Sequence, residues 1–424
     1  MAILLSVFLV AILIGVPIFV ALGLGALVYT HFIAGIPDFV VLHRMAGGVD
    51  SFPLLAVPFF ILAGNLMNSA GITNRIYDFA VAAVGWLRGG LGHVNVVGSV
   101  IFAGMSGTAV ADAGGLGTIE IKAMRDHGYK TDFAVGITAA SSTIGPIIPP
   151  SLPMVIFGVM ANVSIGQLFA AGFVPGLLMA GFLMAYVSWY AHRHGIGRDQ
   201  AFRLRALGTS FVSAVPALMT PAIIIGGMAM GWFTPTEAAI AACAWAIFLG
   251  TVLYRSLSFK QFYKMTMDTI ETTAAVLLIV GAASLFGWVL TTTKVTEVVT
   301  AGLLSVTSDP LVLLLIINLI LLVVGCFIET IAAISILVPV LLPVVIAAGI
   351  DPVQFGVIMV LNLMIGLLTP PVGMVLFVLS RVASIPFDRT VRAVAPFLIP
   401  LLVVLGLITV FPWLTLAVPT YLYR

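Results

Sequence analysis

The chain has 424 residues, of which 61% are hydrophobic and only 8% charged, with a net charge of +2. A soluble domain carries roughly a quarter charged residues, so a soluble globular fold is excluded; the net charge by itself says little about partners, and no nucleic-acid partner is expected. The two cysteines, Cys243 and Cys326, both sit in apolar runs, which rules out a disulfide framework.

The first apolar run covers residues 3–24. A spanning helix needs about 20 such residues. The start of the chain, residues 1–29, is too long for a signal peptide and lacks a basic leader and a small-residue cleavage site, so it is expected to stay as a first span. Comparable runs follow at 212–230 and 311–326, and we count roughly a dozen candidates of unequal length. Backbone groups in lipid must bond internally, so these are helices. The alternation of a membrane β-barrel is absent.

Next in the chain comes G-M-S-G-T-A-V-A-D-A-G-G-L-G at 104–117, small and polar between apolar residues. The apolar stretches on either side are too short to span, which predicts a re-entrant hairpin of two half-helices. Residues 122–130 are basic, with Lys122, Arg125 and Lys130. Then comes S-S-T-I-G-P-I-I-P-P-S at 141–151. Proline removes a backbone bond and pushes the preceding residue out of helical geometry. Three prolines and Gly145 should therefore unwind a helix here, leaving carbonyls free for a cation and an amide-bearing helix start for a carboxylate. The alternative is a kinked helix whose carbonyls are satisfied by nearby Ser or Thr.

Basic loops recur at 192–205, around Arg255–Lys264, and at Arg381, Arg389 and Arg392. The positive-inside rule puts them all in the cytoplasm. Glu237 and Glu271 are expected near helix ends, in structural roles.

The second half repeats the first. I-G-L-L-T-P-P at 365–371 matches I-G-P-I-I-P-P at 144–150, and the same offset pairs Gly104 with Gly325 and Gly128 with Gly349. The matched hairpin is G-C-F-I-E-T-I-A-A-I-S at 325–335. The linkers differ in sign: 122–130 is basic, whereas 343–351 has no positive residue. After the Pro-Pro elements the pattern reverses, since 161–167 is uncharged and 381–392 is basic. Corresponding loops therefore lie on opposite sides, and the halves are inverted repeats, the architecture of secondary transporters.

Hydroxyls of Ser106, Thr108 and Thr330 and the tip carbonyls are candidate ion ligands, each tip facing the break in its own repeat. Asn362 and Thr369 are placed at the second break. Asp112 and Glu329 are acids at membrane depth, which marks them as functional by default. The competing role is a brace accepting amides at a half-helix start, and for Asp112 the brace is the expected one. No phosphate loop of the G-x-x-x-x-G-K-[S/T] type is present, and no repeated carbonyl filter of the potassium-channel kind. G-M-S-G at 104–107 also fits the nucleophile motif of an intramembrane serine protease, with Ser106 attacking. A serine needs a base, and no histidine follows His194.

P-F-F-I-L-A-G-N at 58–65, M-S-G-T-A-V-A-D at 105–112, the stretches 144–150 and 325–343, and G-V-I-M-V-L-N-L-M-I-G-L-L-T-P-P-V-G at 356–373 together resemble the large membrane subunit of tripartite ATP-independent periplasmic (TRAP) transporters. The resemblance spans nearly the whole chain. It implies an all-α polytopic elevator transporter of the bacterial inner membrane, driven by Na+. It also implies a small four-helix membrane subunit, expected as a separate chain, and a soluble periplasmic protein that delivers a small carboxylate such as a C4-dicarboxylate or sialic acid. A one-component sodium- or proton-coupled anion carrier is the alternative. The expected organisation is scaffold helices at 1–51; a first transport repeat at 52–176, with its hairpin near 98–123 and broken helix near 133–160; scaffold and a basic loop at 177–270; a second transport repeat at 271–393, with hairpin near 311–348 and broken helix near 353–381; and a C-terminal helix at 394–424. The implied first sodium site is Ser106, Gly107, Thr108, Ala109, Ser142, Gly145 and Pro146. The second is Gly325, Glu329, Thr330, Gly366, Thr369 and Met374. The substrate region is Ser106, Asp112, Pro149, Pro150, Ser151, Asn362, Pro370 and Pro371.

Overall fold

The computed structural model describes residues 2–69 and 72–423, apart from the side chains of Ala2, Ser69 and Ser106. Among the described residues the secondary structure is helical, with one isolated β-bridge between Arg88 and Arg198. Among the described residues six helices are long and apolar enough to cross a membrane, or up to eight if each sharply bent pair is one span. The expectation of a dozen spans is corrected. Many of the apolar runs are half-helices or hairpin arms, and hydropathy alone does not separate those from full crossings.

Two further expectations change. The run 3–24 is not one helix. Gly15 adopts φ +84 and Pro17 follows, so the chain turns between Ala2–Leu13 and Ile18–Phe32, which pack on each other. Glu271 does not end a helix but lies inside Phe259–Thr292, on an exposed face. Glu237 does sit at a helix start: its carboxylate accepts from the Thr234 amide at 2.8 Å, and the Thr234 hydroxyl accepts from the Glu237 amide, a capping box.

The two repeats are visible element by element. The first hairpin runs Gly90–Ser106, a tip at Gly107 and Thr108, then Ala109–Gly114 and Leu116–Asp126. The second runs Pro310–Gly325, a tip, then Thr330–Ala347. The broken helices are Thr131–Ser142 with Leu152–Ala161, and Pro352–Gly366 with Met374–Ala383. The linking turns use matched glycines, Gly128 at φ +80 and Gly349 at φ +74, where a side chain would be strained. Both Pro-Pro bonds, 149–150 and 370–371, are cis.

The repeats run in opposite senses. Asp132, at the start of the first broken helix, pairs with Arg389 at 2.6 Å, just beyond the end of the second. Arg125 also donates to the Ala383 carbonyl at 3.2 Å. The entry of one broken helix therefore lies beside the exit of the other, and this end carries the basic loops. The second half-helices cross over: Leu152–Ala161 packs on Thr330–Ala347, and Met374–Ala383 packs on Ala109–Gly114. One large core joins both repeats. A separate cluster, with Leu4, Phe8, Leu22 and Phe286, fastens the N-terminal helices to Phe259–Thr292.

Buried polar groups in lipid need internal partners. In the first repeat Asn95 is the hub. It donates to Glu120 at 2.6 Å and Thr138 at 2.7 Å, and accepts from Ser141 at 2.6 Å, tying both hairpin arms to the broken helix. In the second, Asn318 donates to Thr409 at 3.0 Å and accepts from Asn362 at 2.8 Å. The C-terminal segment is two helices, Leu398–Val410 and Trp413–Leu422, parted at Phe411 and Pro412.

Candidate functional site: two hairpin tips against two helix breaks

At the first tip the chain must turn without a side chain. Gly107 has φ +61, and a Cβ there would lie 2.7 Å from the Pro150 carbonyl oxygen. The tip therefore touches the break of its own repeat through backbone. Thr108 caps the next half-helix, its hydroxyl accepting from the Ala111 amide at 3.3 Å, and Ala109 is buried behind it. The side chain of Ser106 lies outside the described residues. Below the break, Ser142 donates to the Ala139 carbonyl at 2.8 Å. Ser151 caps Leu152–Ala161, accepting from the Met154 amide at 3.2 Å, and it donates to the Pro146 carbonyl. These hydroxyls thus satisfy local backbone. Gly145, Pro146, Pro149 and Pro150 are all buried.

A cleft of ≈ 130 Å³ opens at this tip, lined by Thr108, Pro150, Phe60, Asn65 and Thr272 among others. It lies between the first tip and break on one side and the helices Ala56–Ser69 and Phe259–Thr292 on the other. Asn65 donates to Thr269 at 3.0 Å, which orients its amide. Asn65, Thr272 and Phe60 are not among the sequence-derived site residues. Their one advance signal was a lone Asn in an apolar run, inside a stretch that carries the resemblance.

Asp112 is fully buried one turn beyond the tip. It is not the cap of its helix, because Thr108 holds that position. Its Oδ2 has no hydrogen-bond partner among the described residues. Glu120, also buried, accepts from Asn95 through Oε2, and its Oε1 has no partner among the described residues.

The second tip is built on the same plan. Gly325 and Gly366 meet backbone to backbone: a Cβ on Gly366 would lie 2.5 Å from the Gly325 carbonyl carbon. The Val372 amide donates to the Cys326 carbonyl at 3.2 Å, closing tip onto break. Glu329 caps Thr330–Ala347, its Oε2 accepting from the amides of Ile331 at 2.9 Å and Ala332 at 3.2 Å. Thr330 Oγ1 is buried with no hydrogen-bond partner among the described residues. Thr369 donates to the Ile365 carbonyl at 2.8 Å, leaving lone pairs free. Met374 opens the next half-helix and is exposed. Asn362 spends its amide on Asn318 in the packed interior.

The tips share a plan but not a setting. Pro149 and Pro150 are buried; Pro370 and Pro371 are exposed, and Phe327 beside them is 59% exposed.

A family model described as tripartite ATP-independent periplasmic transporter, DctM component, matches residues 5–414. The chain belongs to this family. It is 52% identical to the sialic acid TRAP transporter large permease protein of Vibrio cholerae, over 89% of this chain and 88% of that one. It is 43% identical to the sialic acid TRAP transporter permease protein of Haemophilus influenzae, over 99% of this chain and 68% of the relative. The C4-dicarboxylate TRAP transporter large permease protein of Pseudomonas aeruginosa is 38% identical, over 88% and 87%. Among solved structures, the Alcanivorax borkumensis YdaH transporter superposes with a TM-score of 0.64 at 14% identity, over 89% of this chain and 88% of that one. This DctM-family chain is a multi-pass inner-membrane transporter subunit and not an enzyme, which removes the protease reading of Ser106.

Proposed function

We propose that this permease carries a small organic acid into the cell in symport with sodium, with one cation held at each hairpin tip. The observation that carries the reading is the pairing of each tip with the break of its own repeat. A helix end leaves its last carbonyls without intrahelical partners, and here each end abuts a second interrupted helix. Oxygen-rich surroundings of that kind suit a hard monovalent cation. At the second tip the Thr330 hydroxyl is buried and unspent, and Thr369 keeps free lone pairs at the facing break. Gly325 and Gly366 would contribute carbonyls, and Glu329 holds the half-helix in place. At the first, Gly107, Thr108 and Pro150 converge.

The cleft beside Thr108 is the proposed place for the acid, its carboxylate meeting the amide end of the capped half-helix. Alternating access needs the site to open to each side in turn, by movement of one part of the protein against the other. The proposed movement is an elevator motion of the repeats against the remaining helices. The exposed apolar faces of the N-terminal helices, including Leu13, Phe32 and Phe39, are the proposed seat of a small membrane subunit. A soluble periplasmic protein would deliver the acid.

Sialic acid is the first substrate to try, since two relatives carry that name, and a C4-dicarboxylate the second. The test is uptake of labelled acid by proteoliposomes with the partner proteins, in sodium or potassium buffer. Equal uptake in both would refute sodium coupling. Full uptake by the purified chain alone would favour a one-component carrier.

A further inference from the structure

One groove at the basic end takes no part in the tips. It holds ≈ 550 Å³ between the last turns of Ile165–Arg193 and the short helix Phe387–Val394. Tyr186 and Tyr190 stand one turn apart on one wall, and Asp388, Arg389 and Arg392 line the other. The floor is aromatic: Phe133 stacks on Tyr190 at 4.3 Å, and Phe397 meets Tyr186 edge-on at 4.8 Å. Arg389 is already paired with Asp132. Arg392 and Asp388 form no ion pair among the described residues and are both exposed.

The short helix is amphipathic. Thr390, Ala393 and Val394 are buried, and its charges face out. That is the pattern of a helix lying at a membrane surface. The chain then enters the membrane as Leu398–Val410, with Ile399, Leu402 and Val403 exposed on its outer side. Basic pockets between spans on the cytoplasmic side take phospholipid head groups. Here the two unspent charges are of opposite sign, which selects among head groups.

We propose that this groove binds phosphatidylethanolamine, with the phosphate on Arg392, the ammonium on Asp388, and the acyl chains along Leu398–Val410. Arginine matches phosphate oxygens through two parallel N–H donors. An anionic phosphatidylglycerol head would leave Asp388 unpaired beside its phosphate, and a choline head has no N–H to give that carboxylate.

The test uses the full chain, delipidated in detergent, with thermal unfolding followed after addition of dioleoyl-phosphatidylethanolamine, -phosphatidylglycerol or -phosphatidylcholine, or of inorganic phosphate. Native mass spectrometry of the same samples counts retained lipid. The ethanolamine lipid should raise Tm by several degrees and the others by less. Arg392→Gln, an exposed change, should abolish that rise. Asp388→Asn should keep binding but equalise the ethanolamine and choline lipids. A glycerol lipid as effective as the ethanolamine lipid, or inorganic phosphate producing the whole shift, would overturn the proposal. So would an unaltered response of Arg392→Gln.

Discussion

Gly325 and Gly366 touch backbone to backbone, which joins the second hairpin tip to the second helix break with no side chain between them. An added methyl on Gly366 would meet the carbonyl carbon of Gly325 at 2.5 Å. Backbone cannot swing aside, so Gly366→Ala should force tip and break apart. We expect about 1–3 kcal/mol of destabilisation, the range for overpacking, together with loss of transport. Gly302 is the control. It lies in a helix, and a Cβ added there would meet nothing within 4 Å, so Gly302→Ala should be neutral or stabilising by up to about 1 kcal/mol. Thermal unfolding of both variants checks this, and equal behaviour would refute it.

Thr330 separates an ion ligand from a packing residue. Its hydroxyl is buried and unpartnered. Replacing an unsatisfied polar group by an apolar one of the same shape costs little or even stabilises. Thr330→Val should therefore leave sodium-free stability unchanged or higher, while the sodium-induced rise in Tm shrinks. A loss of sodium-free stability with an intact sodium response would show that the hydroxyl has only a structural role.

The opposed direction of the repeats gives a labelling prediction. In a background with Cys243 and Cys326 replaced, a cysteine at Lys130 should react only from the cytoplasmic side, and one at Asp351 only from outside. Membrane-impermeant maleimide applied to cells and to inverted vesicles distinguishes the two. Labelling of both from one side would contradict the antiparallel arrangement seen through Asp132 and Arg389.

The hairpins and breaks were legible because glycine, proline and small polar residues punctuate apolar runs there, at matched positions such as 149–150 and 370–371. The inversion was legible from the charge of the linkers. Other features were not. The turn at Gly15 and Pro17 was hidden by unbroken hydropathy on both sides. Glu271 was misplaced because the polar start of Phe259–Thr292 is as helical as its apolar remainder. The hub at Asn95 joins residues 25 to 46 positions apart in the chain, which no local pattern reports. Nor could equal motifs reveal that one break is buried and the other open, since that depends on which helices cover each.

Asp112 shows how a small difference in helix start changes a role. The expected brace is supplied by Thr108, one residue before the helix. Thr108→Ala should cost about 1 kcal/mol of stability, as loss of an N-cap does. Asp112→Asn removes a buried charge whose Oδ2 has no partner among the described residues, so sodium-free stability should hold or rise. If Asp112 also serves the cation at the first tip, the sodium-dependent thermal shift should fall steeply. An unchanged shift would confine Asp112 to the packing of the hairpin.

The most direct measurement is initial uptake of labelled sialic acid into proteoliposomes with the partner proteins present, as external sodium is varied against potassium at constant ionic strength. With a cation at each hairpin tip, uptake should rise with sodium with a Hill coefficient above one, and Thr369→Ala should shift that curve to higher sodium. Uptake that is the same in potassium, or that rises with a Hill coefficient of one and is indifferent to Thr369→Ala, would contradict the paired-site account.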